Sequence, residues 1–211
     1  GYAHCPREGA SLGLYIHFWQ DAAAPLLTRA QMQQAEHQRS VALNEQCPPS
    51  VTEITPDTFW ALLSQAKTAC DGCQRAAAYW LTERLLEMGP EQALNFHSIM
   101  HGYMEAANKY GLWNAATLIH EDGCYVDGFE DFRSWLIFQG RETYLAALKD
   151  PDSLADVPAS AEDSCRFEAL LYVGDMAYER LTGCHAYDGI ASAVQRKMDA
   201  ELRKDIVYGA G

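Results

Sequence analysis

The chain has 211 residues, 48% of them hydrophobic, with 16 Lys plus Arg against 29 Asp plus Glu and a formal net charge of -13. Five Trp, eleven Tyr and seven Phe exclude an intrinsically disordered chain. The acid excess excludes nonspecific nucleic-acid binding, which takes a surplus of Lys and Arg to displace counterions, and no apolar run approaches the roughly 18 residues of a membrane span. The charge is uneven: residues 1–50 carry -1, residues 51–160 carry -9 and residues 161–211 carry -3.

In chain order, residues 1–50 read as an N-terminal arm or extension with room for one helix. Cys47-Pro48-Pro49-Ser50 closes it, because Pro-Pro disfavours continuing a helix. Residues 51–211 read as a single helical domain. Thr55 can cap a helix with Pro56 at its first position, and Ile54 can staple onto Phe59. Phe59, Leu62, Leu63 and Ala66 follow with helical spacing. Cys70-Asp71-Gly72-Cys73 makes a turn, and a second helix over 76–88 stops at Gly89-Pro90. Two more helices are expected within 90–110 and 112–120, a long one over 129–148, a Pro/Asp/Ser connector over 151–158, and helices over 163–181 and 188–205. No stretch alternates with β-branched enrichment, so the fold class is all-α, an irregular bundle of about six to eight helices.

Several polar residues fall on or beside apolar stripes. A wheel at about 100° per residue puts Phe129, Phe132, Leu136, Gly140 and Tyr144 on one face, with Arg133 inside it. A buried guanidinium keeps its charge and needs a carboxylate or several carbonyls. Asp127, Asp131, Glu168 and Asp175 are the candidate acids, and the bland reading is an ion pair that fixes helix register. Gly140 and Gly174 sit at stripe centres, which suggests close approach of neighbouring helices. His97, His101 and Glu105 have the i, i+4 spacing of a helical metal site, but they lie at the polar edge of a stripe centred on Ala93, Met100 and Met104 and read as a boundary pair. His120-Glu121-Asp122 ends the next helix. Cys70-x-x-Cys73 lacks two further zinc ligands, and the odd set of seven cysteines reads as reduced thiols. No metal and no cofactor is expected.

Residues 111–148 carry a more specific pattern. Leu112-Trp113-x-Ala115-Ala116 is followed by Gly123-Cys124, then Asp127, Phe129, Phe132-Arg133-x-Trp135-Leu136-Ile137 and Gly140. With Thr58-Phe59-Trp60, Asp150-Pro151-Asp152-Ser153-Leu154 and Tyr178-Glu179-Arg180-Leu181-Thr182-Gly183, this resembles the bacterial domain-of-unknown-function family 4240 over about residues 54–183. The chain departs from that family where Tyr125-Val126 replaces a Ser-Asp pair before Asp127. The resemblance implies a helical domain and carries no activity.

Two main functions are open to this sequence, with metal binding through the histidines or cysteines a third and weaker one. The first is a noncatalytic, cytoplasmic interaction domain whose acidic surface steers a basic protein partner toward it. A basic flank followed by a short apolar core is missing from the start of the chain, which reads as cytoplasmic. The second is an enzyme or small-anion-binding domain whose polar site gathers Asp127 and Arg133 with His97, His101 or His120, the arginine clamping an anion and a histidine moving protons near neutral pH. No nucleophile elbow, phosphate loop or dinucleotide fingerprint is present to favour it.

Overall fold

The structure, a computed structural model, describes residues 28, 31, 34, 38, 51–120, 123–157, 165–189 and 200. The chain divides into two units, 1–42 and 43–211. In the first, the Thr28 amide donates to Gln31 Oε1 at 2.8 Å and the Gln31 amide to Thr28 Oγ1 at 3.3 Å. This is a reciprocal cap, and Gln31, Gln34 and Gln38 are helical and exposed.

The described part of the second unit is all helical, and it holds no strand. Helix α1 spans Pro56–Ala69. Its Thr58 amide donates to Thr55 Oγ1 while the Thr55 amide donates to Thr58 Oγ1, so two otherwise orphaned donors are satisfied. The turn to α2, Gln74–Met88, runs through Asp71 at φ 50° and Gly72 at φ 74°. Gly89, at φ 92°, ends α2 and leads into α3, Pro90–Ala106, whose first residue loses nothing by lacking an N–H.

Helix α4 is Tyr110–Ile119, α5 is Val126–Gln139 and α6 is Arg141–Lys149. A 3-10 turn follows over Pro151–Asp156, then α7 over Glu168–Thr182 and α8, described over Ala186–Gly189. The long helix expected over 129–148 is therefore two. Gly140 takes φ 112° and breaks it, and a Cβ there would meet nothing within 4 Å. Its glycine serves the backbone conformation, not the close packing expected of it. The helix expected from 163 begins at Glu168, and most of the one expected over 188–205 lies outside the described residues.

Helix α7 packs chiefly on α3 and α2. Here the close approach read from Gly174 is real: a Cβ at that position would stand 2.9 Å from the backbone N and Cα of His97. The core between α1, α3 and α6 is aromatic. Trp60 stacks obliquely on Tyr103 at 4.7 Å and donates its indole N–H to the Tyr103 hydroxyl at 2.9 Å. The Tyr144 hydroxyl donates to the Tyr103 carbonyl at 2.7 Å, so these large rings are buried with their polar ends satisfied.

Candidate functional site

Arg133 is 6% exposed, as its place on the apolar stripe requires. Its partners differ from the acids expected from sequence. Nη1 donates to the Met104 carbonyl at 2.8 Å and Nε to the Phe129 carbonyl at 3.4 Å. The guanidinium lies 4.8 Å from the Phe129 ring centroid, and Nη2 is 3.8 Å from Glu130 Oε1. The acid paired with it is thus Glu130, one turn back on α5. Met104 lies in the last turn of α3, where carbonyls lack intrahelical donors and the helix dipole favours a cation. Arg133 therefore closes the C-terminal end of α3. Burial pulls its pKa below the ordinary guanidinium value, with Glu130 and Glu105 opposing that pull. Asp127 is exposed in the first turn of α5. Arg133 lies six positions further along the chain, which sets the two about 120° apart around the helix.

His97 and His101 do come together, with ring centroids 4.3 Å apart. His97 departs from the boundary position expected of it: it is 1% exposed, and neither ring nitrogen has a hydrogen-bond partner. The Gly174 contact explains this, since α7 presses on the backbone of α3 at His97 and covers it. Tyr187 of α8 covers the pair from the other side. Its ring meets His97 edge-on at 4.7 Å, and its hydroxyl lies 3.0 Å from His101 Nε2. Asp175 of α7 holds the turn before α8 in place. Its Oδ1 accepts the Ala186 amide at 2.6 Å, and its Oδ2 is 3.2 Å from His185 Nδ1.

The electrostatics follow the packing. Burial, then the neighbouring His101, pulls His97 down to about 4, against the pull of Asp175. Burial also lowers His101, opposed by Glu105, Glu130 and Asp175. For Asp175 burial works upward, but the bonds from Ala186 and His185 outweigh it and hold the carboxyl below its usual range. Sequence reading had placed Asp175 only as a candidate for Arg133 and missed Tyr187. A tyrosine twelve residues past Asp175, beyond Gly183, carries no periodic signal that would mark it.

His120 caps the end of α4, buried, with its ring edge-on to Phe132 at 6.1 Å. Cys70 is buried at the end of α1 and Cys73 is exposed at the start of α2. Among the described residues no three His, Cys, Asp or Glu side chains are placed to hold a metal ion.

A different face is open. Helix α4 buries only Leu112 and Ala116, leaving Leu118 87% and Tyr110 85% exposed. Between α4 and the 3-10 turn runs a groove of about 500 Å³, lined by Ala115, Leu118, Ile119 and Leu154 among others. The charged residues on its lining are Asp150 and Asp152, both acidic. Trp113 fixes this wall to the rest of the fold. Its indole N–H donates to the Cys124 carbonyl at 2.8 Å, and its ring stacks on Phe129 at 4.8 Å.

The family model described as a protein of unknown function, DUF4240, matches residues 54–180. The chain belongs to this family. No curated protein and no solved structure matches it. Trp113, Phe129, Phe132 and Arg133, which carry the resemblance in the sequence, are packing and capping residues in this fold. No helix among the described residues is long and apolar enough to cross a membrane.

Proposed function

We propose that this member of DUF4240 is a noncatalytic interaction domain that binds an apolar, basic segment of a partner protein in the groove between α4 and the 3-10 turn. The observation that carries this reading is the exposure of Leu118 and Tyr110 on a helix that buries just two residues of its own, beside a concave surface. Apolar side chains gathered at a concavity gain by leaving water together, and seating a Leu-sized side chain contributes about 1.5–3 kcal/mol. Asp150 and Asp152 supply the sign of the complement: a Lys or Arg beside the apolar anchor meets them at the rim, and surplus negative charge over residues 51–160 speeds encounter.

The alternative, an enzyme or anion-binding domain around Asp127 and Arg133, finds less support in the geometry. Arg133 donates to the Met104 and Phe129 carbonyls, its Nη2 faces an acid, and Asp127 lies elsewhere around the helix. A cytoplasmic setting accords with the free thiols of Cys73, Cys124 and Cys184.

Selection from a displayed library of random dodecapeptides tests the proposal. Enriched peptides should pair Leu, Ile or Phe with Lys or Arg, lose at least tenfold in affinity for Leu118→Asp, and weaken as salt rises. Enrichment of acidic peptides, or binding indifferent to Leu118→Asp, would overturn it.

A further inference from the structure

We propose that His97 and His101, closed over by Tyr187, form a proton-operated latch: with both rings neutral, the segment 183–189 is held on α3 and α7, and protonation of the pair releases it. The proposal stands on placement and is independent of the groove. His97 is sealed between Gly174 of α7 and the Tyr187 ring, and both its nitrogens lack partners. Neutral, it leaves one donor and one acceptor unsatisfied. Protonated, it would bury a charge with two unsatisfied donors, 4.3 Å from a second imidazole that gains its own charge. The two rings cannot both be charged there at low cost, and the cover that can lift is the segment 183–189. Among the described residues its bonds include the Tyr187 hydroxyl to His101, the Ala186 amide and His185 ring to Asp175, and the Cys184 amide to Thr182 Oγ1. Lifting it opens the histidines to water, which satisfies their N–H groups and screens the repulsion.

The groups that act on the pair come from each side. Glu105 lies on its own helix, Glu130 on α5, Asp175 on α7 and Tyr187 on α8. The three acids favour the charged histidines and moderate the response, a charged His185 strengthens its own bond to Asp175 and opposes release, and burial outweighs the acids, so His97 stays neutral down to about 4 in the closed state. In the open state an exposed histidine titrates near its ordinary value of about 6.5. The closed form is therefore fully favoured above that value, and it loses ground as pH falls toward 4. Each proton taken up on opening increases the open population up to about tenfold per pH unit in that window.

Hydrogen exchange of the whole chain, read by mass spectrometry from pH 7.5 to 4.5 and corrected for intrinsic exchange rates, tests this directly. Opening of the peptide containing residues 183–189 should rise below about pH 6.5, up to about tenfold per unit for each histidine that takes up a proton, while α1, α3 and α5 stay protected. The rise should be shallower in His97→Phe, which keeps His101, and absent in His97→Phe/His101→Phe. A pH-independent segment, a rise retained in the double variant, or opening only together with the whole bundle would overturn the latch. Should either variant fail to fold, NMR titration of His97 in the unaltered chain decides the matter: a midpoint well below 6.5 supports it, and one at or above 6.5 overturns it.

Discussion

At the scale of single residues, the buried cation is the informative case. Arg133 bonds to a carbonyl from the last turn of α3, so its removal leaves the Met104 oxygen buried without that donor. Arg133→Met should still fold, and it should lose about 1–3 kcal/mol, the usual cost of an orphaned buried acceptor. Denaturant unfolding measures this. Peptide binding at the α4 groove should survive the change at permissive temperature, whereas an anion-clamping arginine would lose ligand with little loss of stability. The burial of Arg133 was legible from its place on the stripe, because a six-residue neighbourhood on one helix fixes which way it points. Its partners were not, because the decisive acceptor is a main-chain oxygen on another helix, and carbonyls carry no sequence signature. Glu130, the acid beside it, is an i, i+3 neighbour on the same helix, a spacing that the sequence does show. His97 was misplaced at the polar edge because its burial comes from Gly174 on α7, a contact between residues 77 positions apart in the chain.

At the scale of the helix, termini were easier to read than partners. Thr55-Pro56 and Gly89-Pro90 act through atoms within four residues of themselves, so capping and the helix breaks follow from local chemistry. Thr55→Ala should cost about 1 kcal/mol in unfolding free energy. Glycines proved ambiguous, since one residue type answers two different needs. Gly140 takes a positive φ and Gly174 gives room for a backbone, and sequence alone assigned both to packing. The two are separable by experiment. Gly174→Ala should destabilise by about 1–3 kcal/mol through overpacking and should also displace the His97 ring resonances by NMR. Gly140→Ala should cost about as much through backbone strain and leave His97 unmoved. Comparable shifts of His97 in both variants would contradict the assignment of Gly174 to the α3–α7 contact.

At the scale of the whole molecule, pH and charge separate the two faces of the domain. His97 is held neutral in the fold, below its ordinary value. Its contribution is therefore complete above about pH 6.5 and is lost as pH falls toward 4. Asp175 runs the other way: its lowered carboxyl contributes above its ordinary value, and that contribution is lost only in stronger acid. Chemical unfolding across pH should show a decline beginning near 6.5, shallower in His97→Phe, where only His101 still contributes, before the acid transition of the carboxylates. Leu118→Asp should leave this curve unchanged, because Leu118 is 87% exposed and holds nothing together. The all-α class was legible from helical periodicity and its punctuation. The groove was not, because exposure on α4 depends on where α4 meets the 3-10 turn.

The most direct measurement is an NMR titration of the whole, ¹⁵N-labelled chain with a selected peptide that pairs an apolar anchor with Lys or Arg. Shift changes are expected to gather at Gly111, Ala115, Leu118, Ile119, Leu154 and Ala155, around the groove, and to vanish in Leu118→Asp. Shifts gathered instead at Asp127 and Arg133, or at His97 and Tyr187, with Leu118→Asp binding normally, would contradict the groove as the functional face and place the activity at the polar residues.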